Sequence, residues 1–214
     1  MKNSNTIIID RIKIEPPYLV IKPNVSEEEY FKMTDEDSHC ELFEGEIIMD
    51  TPASNRHENI FRFLFFIING YVEIKNLGEI RGSRYPMRLE EGTLVEPEII
   101  FIKKERLGLL EKQYLNGPAD LVVEILSPAT YRFDLKNKRE KYREHKIKEI
   151  WFIDIIKNRI IVDYLTGDEY KTVETSSGRI ESKVIEGFYI EAEWVLKEEP
   201  PNSFEILRKI IEKN

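Results

Sequence analysis

The sequence predicts an α/β fold: a mixed β-sheet flanked by helices and extended by an antiparallel meander. Three stretches carry that prediction. Residues 53–71 are long, apolar and free of proline, which reads as a largely buried helix. Residues 120–155 run strand, charged helix, strand, the pattern of a parallel crossover. Residues 159–165 and 170–173 then follow as strands across short turns, with the region around Val184 expected to continue the same meander.

Each element has a local cause. The first 24 residues are an extended arm, because Pro16, Pro17 and Pro23 deny that segment a helix; residues 25–214 read as one domain. Ser26 begins a short helix, with Glu29 three residues on completing a capping box. Residues 41–49 form a hairpin that turns at Glu44-Gly45. Beyond the Thr51-Pro52 break, Ile60, Phe63, Leu64, Ile67 and Ile68 share one face of the long helix, while Phe61, Phe65 and Phe66 widen it. Strands are expected at 79–82, 85–89, 98–102 and 121–126, the last ended by Ser127-Pro128. A highly charged helix spans 132–146, and strands at 149–155 and 159–165 turn at Lys157-Asn158. A short amphipathic helix at 203–211 follows Pro200-Pro201.

Composition narrows the function classes. The chain has 214 residues, 40 Asp+Glu against 32 Lys+Arg, and a net charge of −8. With 11 Phe, 10 Tyr and 2 Trp it can bury a real core, which argues against disorder. No apolar run approaches the ~20 residues that span a bilayer, and the Ile7-Ile8-Ile9 cluster is too short for a signal peptide. The single cysteine, Cys40, excludes an internal disulfide and a cysteine zinc site. A cytoplasmic protein is the expectation. Charge is unevenly placed: residues 26–50 hold ten acids and one lysine, whereas residues 132–148 hold eight Lys/Arg and three acids. The latter is either a solvated face or a local basic patch for an anionic ligand.

The stretch with chemical content is Asp120-Leu121-Val122-Val123-Glu124-Ile125-Leu126-Ser127-Pro128, a strand with an acid at its centre. Alternation puts Asp120, Val122, Glu124 and Leu126 on one face. A buried carboxylate needs either an ion-pair partner or a metal. Glu96 and Glu98 bring acids into a neighbouring strand, and either alone reads as a solvated strand start. Two acids entering adjacent strands supply hard oxygen ligands suited to Mg2+ or Mn2+. On the following helix Asp134, Lys138 and Tyr142 are four apart and share a face. That spacing fits a helical Asp134–Lys138 pair with Tyr142 as packing. It equally fits delivery of the Lys138 ammonium to Glu124, to orient or deprotonate a water or to screen a phosphate.

From about residue 40 to residue 164 the chain resembles the Uma-type restriction-endonuclease family, a branch of the PD-(D/E)XK nuclease superfamily. The blocks that carry the resemblance are Glu41-Leu42-Phe43-Glu44-Gly45-Glu46-Ile47, residues 52–57, Pro97-Glu98, residues 120–128, residues 134–142 and Glu149-Ile150-Trp151-Phe152-Ile153-Asp154. The resemblance implies a restriction-endonuclease-like core and a Mg2+-dependent nuclease. It places Glu98 at the PD aspartate and Glu124 at the acid of the (D/E)XK element, both as metal ligands. The lysine expected two residues later is Leu126 here, and Lys138 on the next helix takes its place. Glu41 corresponds to an acid that completes the site, and His57 is either a phosphate or water contact or, equally, a capping or core histidine; Asp120 and Tyr142 are accessory positions. Glu98 in place of aspartate lengthens one ligand by a methylene.

Taken together, the residues and the resemblance favour hydrolysis of phosphodiester bonds, with DNA as substrate. Arg81, Arg84, Arg88, Lys136 and Arg139 are the expected phosphate contacts. The alternative is a nuclease-like scaffold that binds nucleic acid or a protein without catalysis, favoured by the Glu98 departure and the acidic total. A carboxylate-pair glycosidase ranks below both, because no sugar-stacking cleft is suggested. A homodimer is expected for cutting both strands of a duplex, with the apolar residues of the arm, 7–9 and 18–21, as its interface. His39 and His145 receive no role.

Overall fold

The computed structural model describes residues 7–9, 12–14, 18–34, 38, 40–82 and 85–213. At the N-terminus β1 (Ile7–Ile9) and β2 (Ile12–Ile14) form an antiparallel pair, and β3 (Leu19–Lys22) pairs antiparallel with residues 47–50 of the body. Helix α1 (Glu27–Met33) starts at the expected capping box: the Glu29 N–H donates to Ser26 Oγ at 3.2 Å, and the Ser26 N–H to Glu29 Oε2 at 2.9 Å. The hairpin of β4 (Glu41–Phe43) and β5 (Glu46–Asp50) turns through Glu44 at φ 51° and Gly45 at φ 79°. Two left-handed residues are what a two-residue hairpin turn requires.

Helix α2 (Asn55–Lys75) is capped by Ser54 and ends at Asn76 in the left-handed region, φ 52°. It leads directly into β6 (Gly78–Gly82), where Gly78 takes φ 155°. A Cβ on Gly78 would stand 2.0 Å from the Ile102 carbonyl oxygen, so the close approach of the two strands there requires glycine. Strands β7 (Met87–Glu90), β8 (Thr93–Val95), β9 (Ile99–Lys103) and β10 (Leu115–Asn116) follow, and then the central β11 (Leu121–Ile125).

The charged helix departs from a regular α-helix. Phe133–Lys138 is a π-helical turn, in which the Arg139 N–H bonds the Asp134 carbonyl five residues back, and α3 (Arg139–Glu144) continues it. Such wide turns occur mostly as single turns and often at functional sites. Strands β12 (Glu149–Asp154), β13 (Arg159–Thr166) and β14 (Glu169–Thr175) complete the expected meander. The region around Val184 does not extend it. β15 (Arg179–Glu181) and β16 (Tyr189–Glu191) form a separate hairpin, and the loop between them is drawn onto the sheet by Glu149, whose Oε2 accepts the N–H groups of Lys183 and Val184. Helices α4 (Ala192–Leu196) and α5 (Ser203–Glu212) close the chain.

Two six-stranded sheets result, ordered β10-β7-β8-β4-β5-β3 and β14-β13-β12-β11-β9-β6. The β11–β12 pair is parallel, and every other ladder of the second sheet is antiparallel. Period-two alternation divides the second sheet between two cores. Leu121, Val123, Ile125, Trp151 and Ile153 pack with the buried face of α2, while Val122, Ile100, Ile150 and Phe152 pack toward the first sheet and Tyr142. Glu124 shares the second face, which sets a carboxylate between the sheets.

Candidate active site

Where the first sheet, the start of α2 and the π-helical turn meet, a cleft of about 560 Å³ opens onto Glu98 and Glu124. Glu98 lies immediately before β9 and Glu124 in β11, which are adjacent antiparallel strands, so their side chains emerge side by side. The two carboxyl groups hydrogen-bond each other. Burial and the neighbouring Glu98 push Glu124 well above the ordinary carboxylate range, against the pull of Lys138. Burial acts the same way on Glu98, but hydrogen bonds from His57 and Glu124 overcome it and hold Glu98 low. Adjacent buried acids push each other's titration apart in this way.

Glu124 is enclosed by donors. Its Oε1 accepts Lys138 Nζ at 2.8 Å and the Tyr142 hydroxyl at 2.5 Å. Lys138 Nζ also donates to Glu41 Oε1 at 2.8 Å, and that oxygen accepts the Glu96 N–H at 3.1 Å. Burial works against the ammonium, yet the carboxylates of Glu124 and Glu41 raise its pKa well above the usual lysine value. The raised pKa favours the charged ammonium, which donates hydrogen bonds and screens negative charge. Asp134 stands 3.8 Å from the same amine, so the helical pair and the delivery to Glu124 coexist. Burial pushes Asp134 up to about 7 despite Lys138 and the Thr130 hydroxyl, which donates to Oδ2 at 2.5 Å.

Glu98 is held from two sides. The Ile125 N–H donates to Oε2 at 3.0 Å, and His57 Nε2 lies 3.1 Å from Oε1. The same Nε2 is 3.1 Å from the Ile125 carbonyl oxygen, which can only accept, so Nε2 carries a hydrogen. Nδ1 is buried without a hydrogen-bond partner among the described residues, with Glu58 Oε1 3.7 Å away. Burial disfavours the imidazolium, but Glu98 and Glu58 outweigh it and raise the His57 pKa. His57 therefore faces Glu98 and lines the cleft.

Several expected residues lie elsewhere. Asp120 shares a strand face with Glu124 but not its site: it is bound by Lys148 at 2.9 Å, Arg106 at 3.0 Å and the Lys103 N–H at 3.0 Å, a local ionic knot outside the cleft. Arg139 is committed to Asp163, with Nε–Oδ2 at 2.7 Å and Nη2–Oδ1 at 2.8 Å, and Arg143 clamps the same carboxylate. Arg88 pairs with Glu27 at 2.8 Å; Arg81 pairs with Glu79 and stacks over Tyr85. Lys136 is exposed and does not line the cleft, and Arg84 lies outside the described residues. The basic helix is thus largely neutralised by its own neighbours, including Glu44, Glu90 and Glu144 around Lys141.

The sequence reading passed over Asp50 and Thr130, which also line the cleft. Asp50 lies at the exposed end of β5, yet desolvation on its cleft side and the carboxylates of Glu41 and Glu98 push it up to about 6. Strand alternation through Glu46 and Ile48 would have pointed to it, whereas nothing local signals that β5 borders this cleft.

Among the described residues no three His, Cys, Asp or Glu side chains form a ready cation site. The donor chemistry of Glu98 and Glu124 nevertheless fits a hard divalent ion, because two adjacent carboxyls present oxygen donors to one part of the cleft. No curated protein matches the chain. The family described as "Uma2: Putative restriction endonuclease" matches residues 27–193. Among solved structures, the crystal structure described as "a putative nuclease belonging to DUF820" from Anabaena variabilis ATCC 29413 superposes with a TM-score of 0.66. It is 17% identical and the match covers 80% of this chain and 97% of that one. That likeness shows the fold, a restriction-endonuclease-like α/β core.

Proposed function

The chain belongs to the Uma2 family, and from that premise we propose that it is a divalent-cation-dependent nuclease hydrolysing phosphodiester bonds of DNA. One observation carries the reading: Glu98 and Glu124 stand side by side in an open cleft with the Lys138 ammonium 2.8 Å from Glu124. Glu98 and Glu124 would hold Mg2+ or Mn2+, which supplies a water of lowered pKa and neutralises phosphate charge. The chain's own groups do the rest. The Ile125 N–H and His57 keep the Glu98 carboxylate aimed, Tyr142 and Lys138 fix Glu124, and Glu41 anchors the lysine. The Lys138 ammonium stabilises negative charge developing on the scissile phosphate.

The test is plasmid nicking with Mg2+ or Mn2+ by wild type, Glu124→Ala and Lys138→Met. Nicking by wild type alone supports the reading; equal nicking by all three rejects it. A second reading, a scaffold that binds nucleic acid or protein without cleaving, is favoured by one observation: the Lys138 amine is already shared between Glu41 and Glu124, and among the described residues no group of three His, Cys, Asp or Glu is placed to hold a cation. Calorimetry separates the two, since the scaffold needs no cation binding that Glu124→Ala abolishes. Among the described residues no helix is long and apolar enough to cross a membrane. A nuclease of this kind would work in the cytoplasm, as a homodimer where both strands of a duplex are cut.

A further inference from the structure

The cleft that holds Glu98 and Glu124 has aromatic walls as well as acids. Phe61 and Phe133 both line it, each half-buried. Phe61 belongs to α2 and packs against the core on one face of the second sheet, whereas Phe133, in the π-helical turn, packs against the core on the other. The two rings therefore reach the cleft from opposite sides of the sheet. Each is braced by a second ring: centroids are 5.6 Å apart for Phe61 and Phe65, and 5.0 Å for Phe133 and Phe43. Rings fixed in this way are ready stacking surfaces, and every nucleobase has a π-face to offer them.

The rest of the lining decides what else the occupant must be. Seven carboxyl side chains line the cleft against one amine, Lys138, and one imidazole, His57. Away from a cation at Glu98 and Glu124, such a lining repels phosphate and accepts hydrogen bonds from N–H groups. Asp50 is open to this: its own backbone N–H bonds the carboxyl, and no other donor does so among the described residues. The volume, about 560 Å³, is that of a small-molecule site. A flat, uncharged group with N–H donors on its edge meets these conditions. In a paired duplex the faces of the bases are stacked and their pairing edges occupied, so only an unstacked, unpaired base presents both.

We propose that this cleft takes a single nucleobase out of its stack, its face against Phe61 or Phe133 and its N–H edge toward Asp50, while the adjoining phosphate meets the cation site at Glu98 and Glu124. The proposal rests on the nuclease reading and names its substrate: nucleic acid that is single-stranded or carries an unpaired base, where unstacking costs least.

The experiment reads binding and cleavage separately. Fluorescence anisotropy with Ca2+ follows binding of the full chain to one labelled DNA strand, presented alone, in a fully paired duplex and in a duplex with one mismatch. The single strand and the mismatched duplex are expected to bind at least about tenfold more tightly than the paired duplex. Phe61→Ala and Phe133→Ala are expected to weaken binding to the mismatched duplex at least about fivefold, with Phe61→Leu and Phe133→Leu as milder variants and circular dichroism confirming the fold. Replacing both mismatched bases by abasic linkers should remove the preference and the effect of the ring substitutions. Equal affinity for paired and mismatched duplexes overturns the proposal, as does absence of binding to all three forms. So does a preference that the ring substitutions leave intact or that the abasic duplex shares. Cleavage is then followed with Mn2+ on the same duplexes. Cutting of paired and mismatched duplexes at one rate keeps the nuclease reading and overturns base capture. Mismatch-selective, ring-dependent binding without cutting supports base capture and overturns the nuclease reading.

Discussion

The Lys138 ammonium and the Glu124 carboxylate meet at 2.8 Å with side chains only 4% and 3% exposed, joining the end of the π-helical turn to the central strand β11. An ion pair so enclosed is costly to break from one side, because the remaining charge has no water to turn to. Lys138→Met leaves Glu41, Glu124 and Asp134 crowded without their cation. We expect it to cost about 3–5 kcal/mol in urea unfolding. Adding Glu124→Gln should recover part of that loss; a double variant whose loss equals the sum of the singles would show that the two side chains act independently.

The raised pKa of Glu124 beside Glu98 links cation binding to pH. Burial and Glu98 raise the Glu124 pKa above its unfolded value, so its neutral form favours the fold at low pH. That contribution is lost as pH rises toward the folded pKa. A divalent ion bound by the pair must displace any proton that Glu124 holds. Mn2+ titrated calorimetrically in two buffers of different ionisation heat should therefore give different apparent enthalpies, and affinity should strengthen with pH. Identical heats in both buffers would rule out the displacement.

Asp163 provides the opposite pH signature. Burial pushes its carboxyl up, but Arg139 and Arg143 outweigh that and hold the pKa at about 2, against an ordinary 3.8. The stabilisation, of the order of 2 kcal/mol, is present above the unfolded pKa and disappears as pH falls through the folded one. Asp163→Asn should flatten stability between pH 5 and pH 2 relative to wild type, measured by urea midpoints. An unchanged slope would mean that the carboxylate does not carry it.

Gly78→Ala is expected to destabilise the fold by about 2–4 kcal/mol. The added methyl would stand 2.0 Å from the Ile102 carbonyl oxygen, a backbone atom held in the β6–β9 ladder, at φ 155°. A thermal midpoint equal to wild type would falsify this strain argument.

Much of the fold was legible because it is locally caused. The Ser26 capping box, the Glu44-Gly45 turn, the apolar face of α2 and the crossover from β11 to β12 each depend on neighbours in sequence. The hairpin of β15 and β16 was not, since Glu149 draws the loop between them onto the sheet from 33–35 residues away. The π-helical turn was also missed: four-residue spacing of Asp134, Lys138 and Tyr142 describes a helical face without revealing how wide the turn is.

By itself, then, the sequence determined which chemistries were available: two acids entering neighbouring strands, a lysine on the following helix, and an abundance of charge around them. Only the tertiary structure decided which charges meet. His57 reaches Glu98 across 41 residues and Lys138 reaches Glu41 across 97. Arg139 turns to Asp163, and Asp120 to Lys148, Arg106 and the Lys103 N–H. The reason is physical: backbone propensity acts over a few residues, whereas a buried charge is settled by whichever opposite charge the packed strands bring within about 3 Å.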